Sequence, residues 1–382
     1  MKTTINSLQD RNRDSTDRLN ISRSHHTLTR IYLEVTNRCN LNCRMCIRNN
    51  WNHELGNMSR KTFLKMLTDI QEFSLFPEIF FGGYGEPLSH PDIINFVQDV
   101  KRIGARTSLV TNGTLLSPEI SKDLILSGLN RLWISLDGMH LDNLQNDDIL
   151  PQIIHNLEIF QDLKNNPQLK RNNRDEPEVG MVYVLTKTNS SDLTDLFDLG
   201  KDLGIKSFFI TNLEAYSEEM AGEIPYQVDQ WRGAAFPDPD LLDLPDIVNK
   251  LQREGGGISV EGSLTNPSTS CPFAVKGEIA LRWDGEISPC LPLLYDHTSI
   301  VGRWKNQVYS YTLGNIESKS LQEIWLDQEF EAFIKRLLEE DFSPCINCRD
   351  CWLSEDNRLD CMGYEHPTCG GCLWAHGVIA CP

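Results

Sequence analysis

Cys39-Asn40-Leu41-Asn42-Cys43-Arg44-Met45-Cys46 decides how the rest of the 382-residue chain is read. It follows a short apolar-leaning run, Ile31-Tyr32-Leu33-Glu34-Val35, and a polar turn, Thr36-Asn37-Arg38. Three thiols fall within eight residues, separated by three residues and then two. A cubane iron–sulfur cluster takes one cysteine thiolate per iron, so three local cysteines leave one iron without a protein ligand. An unfilled coordination position is where a substrate or cofactor binds a metal. Zinc sites pair their cysteines two and two more often, and a zinc knuckle is the competing reading of this stretch taken alone.

Outward from that stretch, the distribution of cysteines is uneven. Of twelve, none lies between Cys46 and Cys271, and nine lie from Cys271 onward. The chain carries no apolar run approaching the roughly 20 residues that span a bilayer, and its first residues lack the apolar core of a signal peptide. A cytoplasmic location and no membrane partner are therefore expected, and in that compartment twelve cysteines are metal ligands or free thiols rather than a disulfide framework. The formal net charge of −18, from 54 acids against 36 bases, gives no basic face for phosphates, so nucleic acid is not an expected partner. Arg11, Arg13, Arg18 and Arg23 alternate with Asp10, Asp14 and Asp17, which makes residues 1–28 a flexible polar arm.

Between the cysteine-rich ends, apolar strand-like runs alternate with helical stripes. Ser59 offers a cap to a helix whose face is Phe63, Met66, Leu67 and Ile70, and Glu78-Ile79-Phe80-Phe81 reads as a strand ending in Gly82-Gly83-Tyr84-Gly85-Glu86-Pro87. The unit repeats: a helix over 93–103, a strand over 107–110 ending in Thr111-Asn112-Gly113, a helix from Ser117, and a strand over 131–136 ending in Asp137-Gly138. A helix over 150–163, a polar insert over 164–178, a strand over 179–185, a helix over 192–203 and a strand over 207–210 complete the series. Alternation of this kind predicts an α/β fold with a parallel sheet, and ligands collect at the carboxyl ends of its strands.

The cysteine spacing at the end of a first strand resembles the radical S-adenosylmethionine superfamily, and about six βα repeats match that family's partial (β/α)6 barrel. The resemblance implies a [4Fe-4S] cluster held by Cys39, Cys43 and Cys46, whose open iron takes S-adenosylmethionine, and reductive cleavage of that cofactor to a 5′-deoxyadenosyl radical. It also implies a reduced ferredoxin or flavodoxin as electron donor. Met45 stands where the family often has an aromatic residue. Gly82, Gly83, Gly85 and Glu86 look like the family's glycine-rich element after the second strand, and Asn112, Ser135 and Asp137 hold the matching places on the third and fourth. Ser135 and Asp137 share a face if the strand persists. Lys187 and Asn189 are weaker candidates of the same kind.

From Asn212 to Gly262 the pattern loosens, with a Gly255-Gly256-Gly257 run, and residues 216–265 read as a linker with a helix over 241–251. Trp231 and Phe236 are candidates to line a substrate cavity. Beyond it, Cys271, Gly285 and Cys290 flank a β-like run with a hairpin signal at Asp284-Gly285, followed by Leu313-Gly314-Asn315-Ile316 and a capping box, Ser320 to Glu323. That helix carries Leu321, Ile324, Trp325, Phe333, Ile334 and Leu337 on one stripe. This order resembles the SPASM extension, an auxiliary-cluster domain of radical enzymes that mature peptides and proteins, so residues 29–215 are expected as the barrel and 266–382 as a SPASM-like domain. The family's seven usual cysteines map onto Cys271, Cys290, Cys345, Cys348, Cys369, Cys372 and Cys381, which leaves Cys351 and Cys361 in an insertion. Two auxiliary clusters are implied; a zinc ribbon at Cys345/Cys348 and Cys369/Cys372 is the competing reading.

The tail from Pro367-Thr368-Cys369-Gly370-Gly371-Cys372 to Cys381-Pro382 resembles maturases associated with tungsten-cofactor aldehyde oxidoreductases. The expected function is accordingly hydrogen abstraction from a protein, peptide or pterin-cofactor substrate in an anaerobe. Two alternatives remain: a radical enzyme that modifies a ribosomal peptide or a protein side chain, and a non-catalytic iron–sulfur carrier or zinc scaffold.

Overall fold

The computed structural model describes residues 27–139, 149–169, 176–228, 235–237, 248, 253, 258–263, 270–301, 304–348 and 351–382. Outside them fall all but the last two residues of the expected N-terminal arm, Trp231, the side chain of Phe236 and, Val248 apart, the helix expected over 241–251.

Six strands, β1 (Arg30–Leu33), β2 (Glu78–Phe81), β3 (Thr107–Thr111), β4 (Arg131–Leu136), β5 (Glu178–Leu185) and β6 (Ser207–Asn212), pair in parallel in chain order. Two of the helices between them start where a serine supplies a cap. Ser59 Oγ accepts the Thr62 N–H ahead of α1 (Arg60–Asp69), after which α2 (Ile93–Arg102) follows; Ser117 Oγ accepts the Ile120 N–H ahead of α3 (Pro118–Ser127). The longer α4 (Ile149–Asn165) and then α5 (Leu193–Asp202) complete the set. Their apolar faces bury against the sheet: Phe63 of α1 and Phe96 of α2 are fully buried and stack with ring centroids 3.8 Å apart. Truncating either to Ala would cost about 3–5 kcal/mol, because a cavity is added to the lost burial.

The sheet does not stop at six strands. It has ten, because three later strands add beyond β1 and one beyond β6. β7 (Ser259–Gly262), inside the stretch expected to be linker, pairs in parallel with β6. β8 (Glu278–Leu281), from the region expected to stand apart after residue 266, pairs in parallel with β1, Arg30 opposite Glu278. The physical reason is that β1 and β6 would otherwise be edges with unpaired backbone groups. β9 (Glu286–Ser288) returns antiparallel through the Asp284-Gly285 turn, where Gly285 sits at φ +91°. A separate hairpin, β10 (His297–Val301) with β11 (Trp304–Val308), precedes β12 (Gly314–Asn315), which closes the sheet's outer edge against β9.

The single helix expected after Ser320 is two. The Ser320–Glu323 capping box forms and starts α6 (Leu321–Trp325), but Asp327 Oδ1 then accepts the Glu329 and Phe330 N–H groups and caps a new helix, α7 (Gln328–Leu338). Beyond α7 the chain runs back across the sheet. Asn212 Nδ2 at the end of β6 donates to the Val378 carbonyl at 2.9 Å, and Arg30 Nη1 on β1 donates to the Pro382 carbonyl at 2.8 Å. Among the described residues no helix is long and apolar enough to cross a membrane.

Candidate active site

The carboxyl ends of β1 to β4 meet around one cavity of about 160 Å³. Cys39 and Cys43 enter it from the loop after β1, Gly83, Gly85 and Glu86 from the turn after β2, Asn112 from just past β3, Ser135 from β4 and Asp137 from just past it. A wider cleft of about 590 Å³ shares Cys39, Leu41, Cys43 and Ile149 with it and is otherwise walled by Asn40, Asn42, Arg48, Trp51, Asn52, His53 and Leu55. The sequence-derived set converges but for Gly82 and Cys46: neither lines the cavity, and a side chain at Gly82 would strike Val110 and Phe80 beneath it.

The cysteine loop is held by its own backbone, Cys46 N–H donating to the Cys43 carbonyl at 3.0 Å, and by Arg48 Nη2, which donates to the Leu41 carbonyl at 2.7 Å. Cys39 Sγ faces two N–H donors, Leu41 N at 3.4 Å and Asn112 Nδ2 at 3.8 Å. Donors of that kind suit a thiolate. Burial nevertheless pushes the Cys39 and Cys43 thiols up, and Cys43 is pushed further by the Asp137 carboxylate and its two fellow cysteines. Half-buried thiolates crowded in this way need a positive centre among them, and Cys39 and Cys43 at the cavity, with Cys46 close enough to raise both thiols, fit a cluster with one iron left for a ligand.

Not every residue at the cavity touches its contents. Glu86 spends its carboxylate on the scaffold: Oε1 accepts Thr111 Oγ1 at 2.8 Å and Leu88 N at 2.9 Å, and Oε2 accepts Asn112 N at 2.8 Å. Burial holds its carboxyl above the usual range. Asn112 in turn donates to Asn40 Oδ1 at 3.0 Å, so Glu86 positions a side chain that reaches the cysteine loop. Gly85 is required for space: a Cβ would lie 2.1 Å from the Thr36 carbonyl. Asn189 is buried away from the cavity and braces it, Nδ2 donating to the Asp137 carbonyl at 3.1 Å, while Lys187 uses its backbone N–H on the Glu223 carbonyl.

The nine C-terminal cysteines separate into groups. Cys271, Cys290, Cys369 and Cys372 line one cavity, and burial pushes their thiols up, with Glu278 adding to the rise at Cys271, to about 11, and the neighbouring cysteines adding to it at the other three, Cys372 reaching about 12. Cys345, pushed to about 12 by burial, by Asp360 and then by Cys361, Cys348 and Cys351, marks a second group, of which Cys348 and Cys361 are exposed. Cys351 and Cys361, expected in an insertion, thus lie beside Cys345 and Cys348. Successive turns, Cys348 N–H to Cys345 O and Cys351 N–H to Cys348 O, wind three of them together. Cys381, expected among the usual seven, stands with neither group: it is half-buried, and its Sγ accepts Trp374 Nε1 at 3.4 Å. Among the described residues no three His, Cys, Asp or Glu side chains converge as closely as a single metal ion requires.

Two family models match the chain, the radical SAM superfamily over residues 33–200 and the SPASM iron–sulfur cluster-binding domain over 271–352. The tungsten-containing aldehyde ferredoxin oxidoreductase cofactor-modifying protein of Pyrococcus furiosus is 31% identical over 360 residues, which cover 92% of this chain and 96% of that protein. The chain belongs to the radical SAM superfamily. As a radical SAM enzyme with a SPASM domain it takes a [4Fe-4S] cluster, S-adenosylmethionine and auxiliary iron–sulfur clusters, and its class is that of a maturase, which needs a reductant and a protein or cofactor to act on. The Fe-coproporphyrin III synthase of Methanosarcina barkeri is a more distant relative, 24% identical over 85% of this chain and 80% of its own. Among solved structures, Streptococcus suis SuiB bound to S-adenosylmethionine superposes with a TM-score of 0.60 at 16% identity, over 93% of this chain and 78% of that one. Native anSMEcpe with bound AdoMet superposes at 0.59 and 19% identity, over 85% and 88%. At such identities these likenesses establish the fold.

The sequence reading passed over several residues of this region. Glu34 and Glu214 are buried carboxyls that burial pushes up to about 7, and Glu214 lines the cavity of Cys271 and Cys372 while accepting Tyr216 OH at 2.7 Å. Glu34 carried a signal, a carboxylate in an otherwise apolar strand; Glu214 carried none.

Proposed function

We propose that this radical SAM enzyme abstracts hydrogen from the tungsten–pterin cofactor of an oxidoreductase, or from the protein that carries it. The observation that carries the reading is the single cavity in which Cys39, Cys43, Gly83, Gly85, Asn112, Ser135 and Asp137 meet, opening on a cleft of about 590 Å³. A cleft of that size accommodates a cofactor-sized ligand. The near full-length relationship to the Pyrococcus furiosus protein supports the choice of substrate.

Cys39, Cys43 and Cys46 would hold the catalytic cluster. When bound, cluster and S-adenosylmethionine supply a 5′-deoxyadenosyl radical. The chain's own residues orient and exclude: Gly83 and Gly85, where a side chain would strike Glu34 and the Thr36 carbonyl, let the turn pack onto the cysteine loop at the cavity, Ser135 and Asp137 present polar atoms at the end of the facing strand, and Glu86 fixes Asn112. Cys271, Cys290, Cys369 and Cys372 would hold one auxiliary cluster and Cys345, Cys348, Cys351 and Cys361 another. Reduced ferredoxin or flavodoxin would supply electrons in the cytoplasm.

The test is anaerobic. Reconstituted protein given dithionite and S-adenosylmethionine should release 5′-deoxyadenosine, and Cys43→Ala should release none; cleavage retained in that variant would remove the basis of the reading. Adding the cofactor-loaded oxidoreductase should then raise 5′-deoxyadenosine formation above the uncoupled rate. Stimulation by a short core peptide instead would assign the enzyme to peptide modification.

A further inference from the structure

Glu34 lies just past β1 and is only 1% exposed. Each of its carboxylate oxygens has a neutral donor from a different part of the chain. Oε2 accepts the Tyr84 backbone N–H at 2.8 Å, and Oε1 accepts the Tyr295 hydroxyl in a short bond. Tyr84 belongs to the turn between Gly83 and Gly85; Tyr295 belongs to the loop that leaves Cys290. The two loops are joined a second time, because Tyr84 OH donates to the carbonyl of Leu291, the residue after Cys290, at 3.2 Å.

The cysteine loop enters the same knot. Asn37, two residues before Cys39, donates from Nδ2 to Tyr295 OH at 3.2 Å and is itself fixed by the Gly56 N–H at 2.8 Å. Tyr84, Tyr295 and Trp51 pack as a ring cluster, with centroids 4.3 to 5.9 Å apart. Gly83 rests directly on the carboxylate, since a Cβ there would lie 2.7 Å from Glu34 Cβ and Cγ. The placement of this turn therefore depends on where Glu34 sits, and Glu34 is held by Tyr295.

We propose that Glu34 and Tyr295 are positioning residues that lock the S-adenosylmethionine turn at Gly83–Gly85 to the auxiliary-cysteine loop at Cys290–Tyr295. The affinity for S-adenosylmethionine is then set in part by the auxiliary region, and by linkage S-adenosylmethionine stabilises that region in return. The inference rests on the radical SAM reading above, and neither tyrosine hydroxyl nor carboxylate is asked to react.

Tyr295→Phe removes one oxygen and keeps the ring. With all clusters reconstituted anaerobically, S-adenosylmethionine should bind about tenfold more weakly to this variant, KM for the cofactor should rise with kcat little changed, and the electron paramagnetic resonance signal of the reduced catalytic cluster should respond less to added S-adenosylmethionine. Cys290→Ser should weaken cofactor binding in the native background and add little on top of Tyr295→Phe, because both act through one connection. Tyr84→Phe, which cuts only the bond to Leu291, should give a smaller loss, about threefold. Tyr295→Phe binding S-adenosylmethionine within twofold of wild type, or additive effects of Cys290→Ser and Tyr295→Phe, would overturn the coupling while leaving the radical SAM reading intact. A wild-type protein that neither binds nor cleaves S-adenosylmethionine would sink both.

Discussion

Glu86 offers a direct trial of whether the residues after β2 bind the cofactor or build the place where it binds. Its carboxylate takes three donors, Thr111 Oγ1, Leu88 N and Asn112 N, at 2.8 to 2.9 Å. Gln in its place can still accept through one oxygen, but its amide must face at least one N–H or O–H donor. A hydrogen bond to a charged acceptor contributes about 1.5–3 kcal/mol, and a buried donor left unpaired costs about 1–3. Part of that loss is offset, because burial already penalises the Glu86 charge. Glu86→Gln should therefore destabilise the fold by about 2 kcal/mol, and Glu86→Ala, which strands all three donors, by about 3–5. Set against a total of about 5–15 kcal/mol, both are measurable and the second is severe. Urea titration should show a lower midpoint at unchanged slope. Because Asn112 loses its anchor, affinity for S-adenosylmethionine should fall with stability. A Glu86→Gln protein as stable as wild type within about 0.5 kcal/mol, yet unable to bind S-adenosylmethionine, would refute the scaffold role and make Glu86 a ligand contact.

Gly85→Ala places a Cβ 2.1 Å from the Thr36 carbonyl and 2.7 Å from that of Arg38, so the turn must move off the cysteine loop; dithionite-driven cleavage of S-adenosylmethionine should fall at least tenfold while far-ultraviolet circular dichroism stays native. Glu214 binds its proton more tightly in the folded chain, its carboxyl raised from 4.5 to about 7, so its contribution is full below pH 4.5 and is lost as pH rises through about 7. Metal-free protein should therefore lose about 3 kcal/mol from this group between pH 4.5 and pH 8, and Glu214→Gln should flatten the fall in thermal midpoint; an unchanged slope would show that Glu214 is not the titrating group. Iron and sulfide analysis separates the cysteine groups: Cys372→Ala and Cys361→Ala should each lose about four irons per chain and Cys381→Ala none, so iron loss in Cys381→Ala would return that residue to the ligands.

The barrel was legible because its signals are local. Ser59 and Ser117 sit one residue before helices that begin where they say, and Glu78–Phe81 and Arg131–Leu136 have the bounds read from apolar runs. The cavity was legible for the same reason, since parallel strands put every strand-end motif on one side. Sequence patterns failed where the outcome depends on partners far along the chain. A four-residue run such as Ser259–Gly262 shows nothing of its pairing with β6, and the stripe from Leu321 to Leu337 runs through Asp327, whose capping choice ends one helix and starts another. The resemblance left Cys351 and Cys361 outside the family's seven cysteines, and a position along the chain does not register the turns that fold both back beside Cys345.

The two cysteine regions are neighbours through the sheet rather than through a linker. β8 lies against β1 with Glu278 opposite Arg30, and β9 carries the chain back until Ser288 is level with Ala280, two residues short of Cys290. The loop that follows then climbs to Tyr295, with Arg282 Nη1 holding the Leu294 carbonyl at 3.1 Å on the way, and arrives level with Glu34 at the other end of β1. Register in a sheet is all or nothing, because a slip of one residue turns every side chain to the opposite face. A slip of β8 against β1 would therefore move Cys290 and Tyr295 together. It follows that backbone pairing at one strand edge fixes the spacing between the radical-generating loop and the first auxiliary group, with side-chain bonds such as Tyr295 to Glu34 setting only the final adjustment.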